Sequence, residues 1–208
     1  MSGQPAAVGV VSVGDELMAG AHPDLNAPYL ASRMAEFGRR VERVIVVGDD
    51  EEHIASAVDA LAASCGLIFV SGGLGPTLDD VTRHGVARAA GAPLEECPEA
   101  VSEIEAWFSR AGRVMLDNNR RQALMPTGAT RVPNAFGTAP GFRCSHPLGA
   151  TVVVLPGPPR ELQGVFGAEV EPWLSENRPD VLHRGGAPAA FVDLGERTST
   201  EAPGGGLE

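Results

Sequence analysis

Short β-branched runs alternate with segments of 3.6-residue periodicity along most of this chain, and that alternation restricts it to folds assembled from strand–helix–strand units. Val8, Val10, Val11 and Val13 form the first run, ending at Gly14; Val41 to Val47 and Leu67 to Val70 form two more. Their continuous Val/Ile character suits strands covered on both faces. Between the first two runs, Asn26 is positioned to cap a helix that turns Leu30, Ala31, Met34 and Phe37 to one side before Gly38 stops it. Between the next two, Asp50 is positioned to cap a helix with Ile54, Ala57, Val58 and Leu61 inward. Successive units of this kind imply right-handed crossovers and a parallel sheet.

Beyond the third strand, a helix is expected from Asp79 or Asp80 to Ala90, closed by Gly91, followed by a largely helical insertion over 99–112 and 117–124. Residues 126–147 carry Pro126, Pro133, Gly137, Pro140, Gly141 and Pro147 and read as short strands and turns bordering a site. Thr151 to Leu155 is the last strand. Pro158 and Pro159 fit the first turn of a closing helix, where a missing N–H is harmless, with Leu162, Val165, Phe166 and Val170 facing the sheet and an end near Trp173. The expected architecture is a three-layer α/β/α domain with a mainly parallel sheet over residues 1–176. Residues 177–208, mixing Gly, Pro, Ser, Thr and charge, are expected to form a flexible tail.

Bulk properties exclude several function classes. With 208 residues and 43% hydrophobic content, the chain can bury roughly 70% of its unfolded surface, enough for one core. Its apolar runs fall far short of the ~20 residues a membrane-spanning helix needs. No basic region followed by an apolar run opens the chain, so a cytoplasmic location is expected. A formal charge of −11, with 16 dispersed Lys and Arg residues, argues against a nucleic-acid partner. Cys65, Cys97 and Cys144 have neither CxxC spacing nor a nearby His cluster and read as inert thiols.

Chemistry concentrates in Ser71-Gly72-Gly73-Leu74-Gly75-Pro76-Thr77-Leu78-Asp79-Asp80, which follows a buried strand and leads into a helix. In an open parallel sheet ligands sit at the carboxyl ends of strands, and glycines let main-chain amides approach an anion closely. Each N–H to a charged oxygen adds roughly 1.5–3 kcal/mol, so Gly72, Gly73 and Gly75, with Thr77, could cradle a diphosphate without lysine. The spacing fits neither GxGxxG nor GxxxxGK[ST]. A tight turn with ordinary helix-terminal acids is the alternative for Asp79 and Asp80 alone.

The chain resembles the N-terminal domain of the CinA (competence/damage-inducible protein A) family, which shares the MoaB/MogA molybdopterin-binding fold. The resemblance rests on Gly14 to Gly20, Asp24-Leu25-Asn26, Val47 to Asp50, Ser71 to Asp80 with Thr82-Arg83, Asn118 to Ala123, Pro133-Asn134, Gly137 to Gly141 and Leu155 to Glu161, in family order over roughly 8–174. It implies binding of a nucleotide-like ligand or molybdopterin, a homodimer or homotrimer, and in some relatives metal-dependent pyrophosphatase activity towards ADP-ribose. Many members continue into a domain that deamidates nicotinamide mononucleotide; this chain is too short to hold it and is expected to lack that activity.

Within that frame Glu16, Asp79 and Asp80 are the candidate catalytic and metal-ligating residues, three hard-oxygen acids suited to magnesium, which would neutralise a diphosphate and orient a water. Asn119 and Arg120 are candidate phosphate or sugar ligands, chosen from a block that also offers Asn118 and Gln122. Gly137, Thr138, Pro156 and Gly157 are expected to line the ligand. Arg160, in the first turn of the closing helix, sits against the helix dipole and so hints at an anion. The leading expectation is a metal-dependent hydrolase of a nucleotide-type diphosphate such as ADP-ribose. The alternatives are a non-catalytic molybdopterin or nucleotide binding module and an adenylyl-transfer step in molybdenum cofactor assembly.

Overall fold

A computed structural model describes residues 7–177. The β-branched runs become strands β1 (Ala7–Val13), β2 (Arg40–Val47) and β3 (Leu67–Ser71), separated by a short helix α1 (Asp15–Met18), by α2 (Asn26–Glu36) and by α3 (Glu51–Ala62). Helix α4 (Thr82–Ala90), strand β4 (Leu94–Glu96), helix α5 (Pro98–Arg110) and a 3-10 helix over Asp117–Ala123 follow. Strands β5 (Leu124–Pro126), β6 (Thr130–Val132), β7 (Gly141–Ser145) and β8 (Thr151–Leu155) precede α6 (Pro159–Val165), a π-helical turn over Phe166–Val170, and α7 (Glu171–Glu176).

The main sheet has the order β2-β1-β3-β8-β7-β6; its first four strands run parallel, β7 pairs antiparallel with β8, and β6 pairs antiparallel with β7. Strands β4 and β5 pair separately as an antiparallel ribbon. Alternation along the central strands divides the core in two. Val11, Val13, Ile68, Val70, Val152 and Val154 pack with α3, α4 and α5 on one face. Val8, Val10, Leu67, Phe69, Val153 and Leu155 pack with α2 and α6 on the other. Each fully buried Val or Leu of this kind contributes about 1.5–3 kcal/mol, so the three central strands are the stable floor on which the loops rest. Because the chain leaves β1 towards β2 on one side and later returns to β3 on the other, the sheet has its topological switch point between the carboxyl ends of β1 and β3.

Several expectations are corrected. β2 is a sheet edge rather than a doubly covered strand, and its Val44 and Val46 are exposed. Asp50 caps α3, its carboxylate accepting the His53 amide at 2.8 Å, but α2 is capped by Asp24 and not by Asn26. The Asp24 carboxylate accepts the Asn26 and Ala27 amides at 2.9 and 3.1 Å, leaving the Asn26 side chain free for other work. Helix α4 begins at Thr82, so Asp79 and Asp80 belong to the preceding loop. The closing helical segment runs past Trp173 to Glu176 through a π-turn. Apart from Asn177, the tail at 177–208 lies outside the described residues.

Candidate functional site

The site begins where β3 ends. Gly72 and Gly73 have φ of 102° and 60°, a backbone that L side chains avoid. A Cβ on Gly72 would collide with the Val13 carbonyl oxygen at the end of β1, so only glycine lets the two strand ends touch there. Gly157, just after β8, closes in from the other side: its Cβ would lie 3.1 Å from the Gly72 Cα. The carboxyl ends of β1, β3 and β8 therefore meet backbone to backbone, with no side chain between them.

Around that junction lies a cleft of about 510 Å³, reached by Glu16, Asp24, Asn26, Asp49, Gly72 and Gly157. A second lobe of about 290 Å³ lies beyond Gly73, Asp80, Gly157 and Pro158, which border both, and is walled by Gly75, Gln122, Thr138 and Pro156. Together they are of the size small-molecule sites occupy.

Hydrogen bonds fix the walls. Ser12 donates to Asp24 at 2.6 Å, and the Asn26 amide group donates to the Gly157 carbonyl at 2.8 Å, tying the start of α2 to the loop after β8. Because a carbonyl can only accept, this contact fixes which way the Asn26 amide faces, and its Oδ1 is left buried without a partner among the described residues. At the ends of β1 and β2, Asp15 and Asp49 bind each other's main-chain amides.

In the glycine loop the Gly72 amide is spent on the Leu155 carbonyl at 3.3 Å, while the Gly73 and Leu74 amides meet no acceptor among the described residues. Asp80 turns back over the loop. Its carboxylate accepts the Gly75 amide at 2.8 Å, the Thr77 amide at 2.8 Å and the Thr77 hydroxyl at 2.5 Å.

The larger lobe is acidic. Glu16, Asp24, Asp49 and Asp80 all border it, and Asp49 has its carboxyl pKa raised, first by burial and further by the charges of Asp15, Glu16 and Asp80, against the lowering effect of the Asp15 amide.

Of the residues singled out in the sequence, Glu16, Gly72, Gly73, Asp80 and Gly157 border the larger lobe, and Gly75, Thr138 and Pro156 the second. The rest are not brought together with them. Asp79 is exposed and borders neither lobe, so Glu16, Asp79 and Asp80 do not converge as a metal triad. Among the described residues no three His, Cys, Asp or Glu side chains are grouped to hold a metal ion. The Gly75 and Thr77 amides, expected to face phosphate, are held by Asp80 instead. Asn119 is buried and donates to the Leu116 carbonyl and to Asn118, and Arg120 pairs with Glu96 at 2.6 Å. Gly137 leaves room for Glu161 and borders a further pocket that meets the second lobe at Thr138, and Arg160 is exposed outside both lobes. Asp24, Asn26, Asp49 and Gln122 also border the cleft, although no sequence signal marks them as ligand-facing. Each lay in a block carrying the family resemblance, but a lone acid or amide in a loop has no periodicity to announce its direction.

The probable molybdopterin binding domain family matches residues 9–176, and the crystal structure of CinA from Thermoplasma acidophilum superposes with a TM-score of 0.74 at 31% identity, covering 81% of this chain and 98% of that one. The chain belongs to the CinA family. Among curated relatives, a CinA-like protein from Synechococcus elongatus is 44% identical over 168 residues, which is 81% of this chain and 40% of that protein. This CinA-family chain thus spans about two fifths of the length of such relatives. The molybdopterin biosynthesis enzyme MoaB from Thermus thermophilus shares the fold, with a TM-score of 0.52 at 21% identity over 82% of this chain and 92% of that one. The mainly parallel α/β architecture of the CinA-family chain is therefore that of MoaB and MogA as well.

Proposed function

We propose that this domain binds a phosphate-bearing small molecule of nucleotide or molybdopterin type, with the phosphate at the 72–75 loop and the rest of the ligand across the two lobes. One observation carries the reading: among the described residues the consecutive Gly73 and Leu74 amides have no acceptor at the strand-end junction where the two lobes meet. Main-chain donors left without a protein acceptor at the border of a cleft are open to a ligand, and an anionic oxygen is the partner such amides favour. The acidic lobe selects the other end of the ligand. Its carboxylates repel phosphate and accept hydrogen bonds from hydroxyl and ring N–H groups, so the sugar or heterocycle belongs there. Calorimetric titration with ADP-ribose and with adenosine tests the proposal. Binding of ADP-ribose at least about tenfold tighter than adenosine is expected; equal affinities would remove the phosphate from the account.

Hydrolysis of the diphosphate is a second reading, favoured by Asp49, whose raised pKa and position in the cleft suit a residue that takes a proton from water. Among the described residues the acids of the cleft do not fit a resident divalent metal: Asp79 lies apart, and the Asp80 carboxylate is already bonded to Gly75 and Thr77. No step is therefore assigned to a metal. Release of AMP from ADP-ribose, lost in Asp49→Asn while binding persists, is the expected sign of catalysis; binding without product leaves a carrier or cofactor-assembly module.

A further inference from the structure

Arg83 is the second residue of α4 and is 2% exposed. It makes no ion pair among the described residues. Its Nη1 donates to the Leu74 carbonyl at 2.8 Å, its Nη2 to the Pro140 carbonyl at 3.3 Å, and its Nε has no acceptor among the described residues. Burial lowers its pKa to about 9, a shift the nearby Asp80 charge opposes. A cation at the amino end of a helix is also opposed by the helix dipole. A charge retained against both effects calls for a reason.

The peptide it grips supplies one. The Leu74 carbonyl and the Gly75 N–H belong to one planar trans unit and so point in opposite directions. Arg83 holds the carbonyl end, and the amide end donates to the Asp80 carboxylate at 2.8 Å. Guanidinium, peptide and anion form one hydrogen-bonded chain with the positive charge at its buried end, and such chains polarise their members. The second arm of the guanidinium reaches Pro140, next to Thr138 and Ala139, which wall the second lobe opposite Leu74 and Gly75.

We infer that Arg83 is the positioning residue of the anion loop: it orients the Leu74–Gly75 peptide, whose amide holds the Asp80 carboxylate over the loop and so leaves the neighbouring Gly73 and Leu74 amides for phosphate, and it fastens that loop to the segment of Thr138 and Ala139 in the wall of the second lobe. The inference rests on the proposed phosphate binding and names the residue that prepares the loop for it. Lysine at this position would keep the charge but could not hold two carbonyls in a fixed fork.

The test uses the full chain, as wild type, Arg83→Met and Arg83→Lys, titrated with ADP-ribose and adenosine while the Gly75 amide is followed by NMR. Arg83→Met should lose about tenfold or more in ADP-ribose affinity with adenosine affinity within about twofold, and Arg83→Lys should fall between. The Gly75 amide resonance should move when ADP-ribose binds the wild type, and should be displaced in free Arg83→Lys. Equal losses for both ligands would mean a merely structural role and would overturn the inference. So would unchanged affinity in Arg83→Lys and Arg83→Met, or a Gly75 resonance that ignores bound ADP-ribose. Should Arg83→Met not fold, Arg83→Lys and the Gly75 resonance decide. A wild type that binds neither ligand refutes the phosphate-binding reading itself, whereas tight wild-type binding that the Arg83 variants share refutes only the role of Arg83.

Discussion

Asp15 and Asp49 are cross-locked: the Asp15 amide donates to the Asp49 carboxylate at 3.0 Å, and the Asp49 amide donates to the Asp15 carboxylate at 3.1 Å. The pair joins the loops after β1 and β2, and Gly48 makes room for it, since a Cβ there would collide with the Asp15 carboxylate. Asp15→Ala removes one half of the lock and should lower stability by about 1 kcal/mol. Urea unfolding checks this, and an unchanged midpoint would show that the lock does not hold the loops.

Asp49 sets a pH dependence of definite sign. Its folded pKa is raised above the ordinary value of 3.8, chiefly by burial. Below the unfolded pKa the group is protonated in both states and has no effect; as pH rises through the folded pKa, stability is lost and remains lost above it. Asp49→Asn removes that penalty while keeping an oxygen for the Asp15 amide. Its stability relative to wild type should be greater at pH 7 than at pH 3, measured by thermal unfolding at both. The same difference at the two pH values would contradict the assignment.

Asn26 spans the cleft wall through its bond to the Gly157 carbonyl. Asn26→Ala leaves that carbonyl without its donor and should cost about 1–3 kcal/mol. Asn26→Asp should cost at least as much, because a carboxylate then faces a carbonyl oxygen. Chemical denaturation of both variants measures the ordering, and a stable aspartate variant would mean the loops are not joined through this residue.

Gly72→Ala asks a side chain to adopt a φ of 102° against the Val13 carbonyl. A loss of about 1–3 kcal/mol is expected from the backbone strain alone, with further loss where β1 and β3 are pushed apart. Wild-type stability in this variant would show that the strand ends are not in contact.

The parts of the fold that could be read from sequence are those where composition and geometry agree. β1, β3 and β8 are almost wholly buried and carry largely apolar, β-branched runs, and the glycine segment sits at the end of one of them. β2 carries a similar run yet lies at the sheet edge, because hydrophobicity alone does not say which neighbour a strand will lack. Asp24 and Asn26 are both capping types two residues apart, and nothing local says that Asp24 takes the helix and Asn26 the cleft. In the 3-10 helix at 117–123 the six residues from Asp117 to Gln122 are all polar, so Asn119, Arg120 and Gln122 could not be sorted by a 3.6-residue period; Gln122 is the one that reaches a lobe. For Asp80 the sequence leaves two roles open, a metal ligand or an ordinary helix-terminal acid; the late start of α4 puts it in the loop, where its carboxylate accepts the Gly75 and Thr77 amides.

The most direct measurement is a crystal structure of this chain with ADP-ribose bound. A phosphate oxygen should lie within about 3.2 Å of the Gly73 or Leu74 amide nitrogen, with the ribose or base among Asp24, Asn26 and Asp49. A ligand seated elsewhere, or one whose diphosphate lies among the acids while the loop amides remain unmet, would contradict the account.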